Sequence, residues 1–379
     1  MELSLIVDHA CNLRCTYCYT GEKIRRAMTP EVGYRAIDLA LQSRPVRLDL
    51  SFFGGEPLLH PDLLELLSRY ALDRAGATPV RVVLCTNGTL VDEHTTDWIR
   101  SLPDCAALVS LDGPEDVHDR HRVDAYGSGT YHRARAGARW LMEAGAAVTS
   151  VAVVSPESAG RLGETVRGLL ALGGQRIVLA PNYGAQWAAS ALQACATGIG
   201  DAADEWMQHL RGNGRQLLEP LAVKILGHLY GGTPCPAKCQ LAGKEFAVAP
   251  SGHIYPCAQL VGEDADERYV IGDVMRGIDR GALARLQATK DRVAEYCGDC
   301  DARTRCDGMC GCKHVMATGE MGRVSGEFCD IENLFIDAAD RVGGTLHAEG
   351  CAAFRAIFYE QRWLPAPGAE LVTLRSRRG

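Results

Sequence analysis

The chain has no excess of positive charge: its 379 residues carry 40 Lys+Arg against 47 Asp+Glu, a formal net charge of −7. Nucleic acids and anionic membrane surfaces both demand a basic footprint, so neither is an expected partner. The one basic run, Arg375, Arg377 and Arg378, reads as a solvated end. There is also no stretch near the roughly 18 uninterrupted apolar residues that a membrane-spanning helix needs. The opening Met1-Glu2-Leu3-Ser4-Leu5-Ile6-Val7-Asp8 has no basic n-region and too short an apolar run for a secretory signal. Internal repeats and low-complexity tracts are missing as well. What remains is a globular composition, 47% hydrophobic and 23% charged, sufficient to bury a core.

Cysteine, by contrast, is abundant and unevenly spread. Six of the sixteen cysteines lie before residue 235, and ten lie between Cys235 and Cys351. Without a secretory start, a reducing cytoplasm is the expected location, where clustered cysteines hold metal more often than one another.

Residues 1 to about 180 alternate short β-branched runs with amphipathic segments, the pattern of βα units around a parallel sheet. Strands are expected at 3–7, 46–53, 80–85, 107–111, 147–154 and 176–180. A helix should open with Thr29 as N-cap and Pro30 in its first turn. Another covers 60–75, with Leu63, Leu64, Leu66 and Leu67 on one face. Residues 182–234 read as helical and connecting, up to the breaker Gly231-Gly232-Thr233-Pro234. A hairpin is expected at 246–248 and 253–255, and two helices at 331–362. The expected divisions are 1–230, 231–330 and 331–379.

Cys11-Asn12-Leu13-Arg14-Cys15-Thr16-Tyr17-Cys18 is a C-x3-C-x2-C triplet directly after the first strand. Three thiolates are one ligand short of the four that hold a cubane iron–sulfur cluster, which leaves one iron open for a non-protein ligand. An incomplete zinc site or three unrelated cysteines are the plainer readings. Against them stand small polar groups at successive strand ends: Gly54-Gly55-Glu56-Pro57, Thr86-Asn87-Gly88 and Ser110-Leu111-Asp112-Gly113. In parallel barrels, binding and catalytic groups come from that carboxyl face. Glycine there lets the backbone approach a ligand, and Glu56, Asn87, Ser110 and Asp112 offer hydrogen-bonding groups.

With these motifs the chain resembles the radical S-adenosylmethionine (radical SAM) superfamily. The resemblance implies a partial (β/α)6 TIM-like barrel and a [4Fe-4S] cluster held by Cys11, Cys15 and Cys18. SAM would chelate the open iron. It implies that Gly54, Gly55 and Glu56 contact the methionine amino group, Ser110 and Asp112 the ribose and methionyl end, and the backbone at Tyr17 the adenine, with Asn87 also among the SAM contacts. Arg122 is a candidate for the SAM carboxylate, with a surface salt bridge as the alternative. Reductive cleavage of SAM would give a 5′-deoxyadenosyl radical that abstracts hydrogen, with the electron supplied by a ferredoxin- or flavodoxin-type donor.

The later cysteines run Cys239, then Gly252-x4-Cys257, Cys297-x2-Cys300-x5-Cys306-x3-Cys310, and Cys329. This order resembles the SPASM domain of peptide- and protein-modifying radical SAM enzymes, which carries two auxiliary [4Fe-4S] clusters, three clusters in all. The resemblance assigns Cys235, Cys239, Cys257 and Cys310 to auxiliary cluster I, and Cys297, Cys300, Cys306 and Cys329 to auxiliary cluster II. Cys312 competes with Cys310, while Cys85, Cys105, Cys195 and Cys351 read as ordinary thiols. Structural zinc is the rival for the whole segment, and a non-enzymatic zinc-binding regulator is the corresponding rival function.

Two reactions compete within the resemblance. The preferred one is maturation of a ribosomal precursor peptide by a C–C or thioether crosslink, or by epimerisation. The alternative is an anaerobic sulfatase-maturating enzyme, which oxidises Ser or Cys to formylglycine; residues 111–122 and the Tyr255-Pro256-Cys257 hairpin resemble it. That family places an aspartate after the hairpin cysteine as proton acceptor, where this chain has Ala258. Because Cys11 lies so near the start, a separate N-terminal recognition domain is not expected. The general base is not named by any motif.

Overall fold

A computed structural model describes residues 1–232, 239 and 241–360. In chain order the main elements are β1 (Glu2–Ile6), α1 (Pro30–Gln42), β2 (Leu48–Phe53), α2 (Pro61–Arg74), β3 (Val80–Thr86), α3 (Glu93–Ser101), β4 (Cys105–Ser110), α4 (Glu115–His121), α5 (Tyr131–Glu143) and β5 (Ala147–Val154). There follow α6 (Leu162–Leu172), β6 (Arg176–Pro181), α7 (Ala189–Arg211), β7 (Leu217–Glu219), α8 (Leu221–Tyr230), β8 (Glu245–Val248), β9 (His253–Tyr255), β10 (Gly272–Asp273) and β11 (Gly277–Ile278). The rest is helical: α9 (Arg280–Asp291), α10 (Ala294–Cys297), α11 (Gly311–Thr318), α12 (Gly326–Ala348) and α13 (Ala352–Phe358). The class is α/β, built on parallel strands in βα succession as expected for a TIM-like barrel. No helix among the described residues is long and apolar enough to cross a membrane.

The six expected strands all form. Thr29 caps α1 through its side chain, with Pro30 at the first helical position, because proline's missing N–H costs nothing there. In α2 the buried stripe is Leu64, Leu67, Ser68 and Ala71, while Leu66 is exposed. The four consecutive-looking leucines therefore divide between two faces, since only spacings of three and four share a side of a helix. Between 182 and 232, expected as helical and connecting, a short strand, β7, lies between α7 and α8. The cysteine-rich segment also contains α9, α10 and α11, which short turns alone would not supply.

The chain forms two compact units, and they cut across the expected boundary at 230. The first comprises Met1–Leu111, Glu115–Ser150 and Gln240–Thr289; the second comprises Asp112–Pro114, Val151–Cys239 and Lys290–Gly379. The reason lies in the first strand. β1 pairs in parallel with β2 on one side and with β8 on the other, Leu3 opposite both Leu50 and Phe246. The hairpin β8–β9 and the pair β10–β11 thereby extend the first unit's sheet past β1, while β3 and β4 continue it in parallel beyond β2. Leu3, Leu5, Leu50, Phe52 and Leu84 are fully buried, as are Ile37 of α1 and Leu67 of α2.

In the second unit β6 pairs in parallel with β7, and α7 packs against both α6 and α12. Trp206 of α7 is wholly buried, sets its ring edge against Phe358 and donates Nε1–H to the carbonyl of Gln216 at 2.9 Å. Trp206→Ala should cost about 4 kcal/mol of that unit's stability by opening a cavity. Denaturant unfolding followed by the midpoint shift measures it.

Candidate active site

The first cysteine triplet lies on a loop that leaves β1 and returns to α1. Asp8 closes its base. One carboxylate oxygen accepts the N–H groups of Ala10 at 3.0 Å and Arg26 at 2.9 Å, so it grips the loop at entry and exit. The other meets His60 Nε2 at 2.7 Å. Burial would raise the Asp8 pKa, but these three partners outweigh it and hold the carboxyl below its ordinary value. The middle of the loop is fastened to the end of α4 and the residues after it: Arg14 N–H bonds to the Val123 carbonyl at 2.7 Å, and Thr16 Oγ1 meets His121 Nδ1 at 2.7 Å. On the exit limb, Glu22 N–H donates to Glu263 at 2.9 Å.

Each thiol of the triplet has its own setting. Cys11 Sγ accepts Leu13 N–H at 3.3 Å and has Asn87 Nδ2 at 3.9 Å. Burial raises its pKa to about 11. Cys18 Sγ takes the Lys23 ammonium at 2.8 Å; burial opposes ionisation there, yet Lys23 and Thr20 prevail and its pKa is lowered. Cys15 is half-buried between them. Among the described residues, no group of three His, Cys, Asp or Glu side chains converges as ligands of a single metal ion. Three thiols spread along one loop, with N–H and ammonium donors aimed at their sulfurs, fit a cluster whose ligands bind different irons.

The glycine pair lets two backbone segments meet. A Cβ on Gly55 would lie 2.0 Å from the Ala10 carbonyl oxygen, and one on Gly54, at φ +135°, would lie 2.4 Å from that of Asp8. Gly55 and Glu56 donate their N–H groups to those same two carbonyls. The turn after β2 is therefore pressed against the entry to the cysteine loop, backbone on backbone.

Glu56 is likewise turned inward. Only 1% exposed, its carboxylate accepts Leu58 N–H at 3.1 Å, Thr86 Oγ1–H at 2.7 Å and Asn87 N–H at 2.8 Å. Burial pushes its pKa up to about 7 despite these donors. The side chain thus ties the end of β2 to the end of β3. Asn87 passes the connection on: its Nδ2 reaches Asn12 Oδ1 at 2.9 Å, and Asn12 Nδ2 reaches Thr89 Oγ1 at 2.8 Å.

Ser110 ends β4, half-buried. Arg122 is 6% exposed, with its guanidinium carbon 5.3 Å from the centre of the Tyr17 ring. Asp112 belongs to the second unit, where its carboxylate accepts Val153 N–H at 2.9 Å and its carbonyl accepts Thr165 Oγ1–H. The structure thus gathers Cys11, Cys15, Cys18, Tyr17, Gly54, Gly55, Glu56, Asn87 and Arg122 around one loop. Sequence reasoning missed Asp8, Asn12, His60 and Thr89. Asn12 and Thr89 lie inside or beside the motifs, and a carboxamide next to Cys11 and a hydroxyl next to Gly88 were the available signal.

The later cysteines divide. None of the fifteen described cysteines is disulfide-bonded, and Cys235 lies outside the described residues. In the second unit the thiols of Cys239 and Cys312 both bond to Cys310, which with Lys313 lowers the Cys310 pKa well below its ordinary value. Cys297, Cys300 and Cys329 lie within electrostatic reach of one another. Cys306 is pushed up to about 12 by burial and by Glu332, and accepts Gly308 N–H at 3.1 Å. Cys257 belongs to the first unit, just after β9. Cys105 and Cys195 are buried thiols, as expected of ordinary core cysteines.

Gly55→Ala should expel the loop entry at a cost of about 3 kcal/mol, and iron analysis after anaerobic reconstitution should show about four fewer atoms per chain. The raised Glu56 pKa sets a pH slope. Protonated Glu56 stabilises the fold fully below the ordinary carboxylate range, and that contribution is lost as pH rises through about 7. Between pH 5 and 8 the stability of the native chain relative to Glu56→Gln should fall by about 2 kcal/mol, read from urea unfolding.

Residues 5–168 match the radical SAM superfamily model. The chain is 27% identical over 343 residues to a serine-type anaerobic sulfatase-maturating enzyme of Klebsiella aerogenes, covering 83% of this chain and 80% of that enzyme. An uncharacterised protein of Methanocaldococcus jannaschii is 34% identical over 114 residues, 30% of this chain and 39% of its own length. Among solved structures, native anSMEcpe with bound AdoMet superposes with a TM-score of 0.77 at 18% identity, over 92% of this chain and 99% of that one. SuiB of Streptococcus suis bound to its precursor peptide SuiA gives 0.57 at 16% identity, over 86% and 75%. Residues 5–168 thus form a radical SAM domain, and the chain that carries it is an enzyme.

Proposed function

We propose that the enzyme acts on a peptide or protein, oxidising a Ser or Cys side chain to formylglycine in the manner of an anaerobic sulfatase-maturating enzyme. The observation that carries this is the 343-residue match to the Klebsiella aerogenes enzyme, which runs beyond the radical SAM domain into the cysteine-rich segment. It outweighs the crosslinking or epimerising maturation preferred from motifs alone. A non-enzymatic zinc regulator has no place in a radical SAM enzyme.

Cys11, Cys15 and Cys18 would hold the SAM-binding [4Fe-4S] cluster, which supplies a 5′-deoxyadenosyl radical by one-electron cleavage of SAM. The protein's share is positional. Asp8 and Gly55 hold the cysteine loop on β1, Asn12 and Asn87 fix its entry beside β3, and Arg122 under Tyr17 offers a buried cation to a carboxylate. Ser110 and Asp112 remain candidates for SAM contacts. The Glu56 carboxylate, committed to Leu58, Thr86 and Asn87, acts as the strut that carries the turn. Two auxiliary clusters would sit on the later cysteines, Cys235, Cys239, Cys257 and Cys310 in one set and Cys297, Cys300, Cys306 and Cys329 in the other. A ferredoxin- or flavodoxin-type protein would donate the electron.

Oxidation of Ser to the aldehyde removes two hydrogens, one as an atom from Cβ and one as a proton from oxygen, together with one electron. Ala258 stands where the resembled family has its proton acceptor, so another group must fill that role. The decisive assay incubates the reconstituted enzyme with SAM, a reductant and a peptide containing a sulfatase maturation site, with Ser or Cys at the target. A product captured by a hydrazide probe is the expected result. Loss of two hydrogens without a captured aldehyde would establish the crosslinking reading instead. Changing Cys11, Cys15 and Cys18 together to Ala should abolish 5′-deoxyadenosine formation while about eight of about twelve iron atoms remain, by iron and sulfide analysis.

A further inference from the structure

Between the two cysteine sets of the second unit runs a buried chain of charges. Glu332 of α12 is 2% exposed. One of its carboxylate oxygens takes the Lys224 ammonium at 2.8 Å and Asp307 N–H at 2.7 Å, and the other accepts the Tyr183 hydroxyl at 2.9 Å. Asp307 in turn holds the ammonium of Lys313 at 2.9 Å, and Lys313 lies 5.5 Å from the centre of the Tyr183 ring. Lys224 also donates to the Arg305 carbonyl at 3.2 Å. Burying this many charges is costly, and removal of any one strands its partner.

The arrangement has a direction. Lys313 is three residues along α11 from Cys310, which stands at that helix's N-cap, so the two share a face. Lys290 donates to the Cys239 carbonyl and pairs with the partly exposed Asp291 at 3.0 Å. Two lysines therefore stand near Cys239, Cys310 and Cys312. At the other end the two arginines are committed to other groups, Arg303 to the Gly298 carbonyl and Arg305 to Asp340, and carboxylates stand by the thiols. Asp307 follows Cys306, Glu332 lies within electrostatic reach of Cys306 and Cys329, and Asp330 follows Cys329. Lys224 offsets part of that charge through its pair with Glu332. Adding an electron to a buried centre is favoured by nearby positive charge and opposed by nearby negative charge, with little screening by water.

We propose that Asp307 and Glu332 are positioning residues that hold the Lys313 ammonium beside Cys310, and that the resulting charge gradient makes the centre at Cys239 and Cys310 the more readily reduced of two auxiliary centres. The inference rests on the reading that both cysteine sets hold iron–sulfur clusters. Reduction adds one electron per centre and needs no proton, because the lysine is already an ammonium.

The test uses the full chain with Cys11, Cys15 and Cys18 changed to Ala, reconstituted anaerobically and titrated with dithionite under electron paramagnetic resonance. Two reduction waves are expected, with Cys239→Ala removing the higher and Cys297→Ala the lower. Lys313→Met should move only the higher wave, to lower potential, and Lys313→Arg should restore it. Where Lys313→Met fails to fold, Lys290→Met tests the same wave and should shift it in the same direction. A full complement of about eight iron atoms with an unmoved higher wave, or with both waves moved equally, overturns this inference alone. Absence of iron and sulfide from the later cysteines overturns the auxiliary-cluster reading and this inference with it.

Discussion

The carboxylate of Asp8 decides whether three cysteines can stand together above one strand. A loop of some twenty residues between β1 and α1 has to be closed against its own conformational entropy, and closure is most effective where one group bonds both ends. Asp8 does this by accepting from Ala10 and Arg26 through a single oxygen, with His60 on the other. Gly54 and Gly55 then allow the neighbouring turn to touch the same backbone, and Glu56 carries the contact across to β3. The radical SAM motifs are in this sense also mechanical parts, each fixing the next from the cysteine loop across to β3.

Electrostatics in the two cysteine regions differ in kind. Around the first loop the donors are separate groups, such as Lys23 at Cys18 and Leu13 N–H and Asn87 at Cys11. In the second unit the charges form a connected buried network in which Glu332 has partners on α8, on the segment after β6 and beside Cys306. A network whose members are all satisfied specifies one arrangement, since a partial version leaves a charge unpaired in a medium that solvates it poorly.

Much of this was legible in the sequence because it depends on local patterns. The six strands, the Thr29 cap with Pro30 and the hairpin at β8–β9 follow from alternation, capping chemistry and turn residues. So does the placement of Gly54, Asn87 and Ser110 at strand ends. What stayed hidden depends on long-range pairing. The parallel match of β1 with β8, which carries residues 240–289 into the first unit, has no signature in either strand. The glycines illustrate the same limit, because their positions signal close approach but not whether a ligand or the Ala10 carbonyl is what approaches. Asp8, two residues past Ile6, looks like any strand-ending aspartate until Arg26 returns to it.

The pairing of β1 with β8 also bears on how the molecule comes into being. Glu2 has Glu245 as its partner, and Glu22 has Glu263, so both the outer edge of the first strand and the exit limb of the cysteine loop stay unmet during synthesis until the ribosome has passed residue 263. Contacts so distant in sequence form late and slowly. The nascent chain therefore carries Cys11, Cys15 and Cys18 on an unfinished loop for most of its translation, and iron delivered before release would meet a loop that Glu263 has not yet fastened.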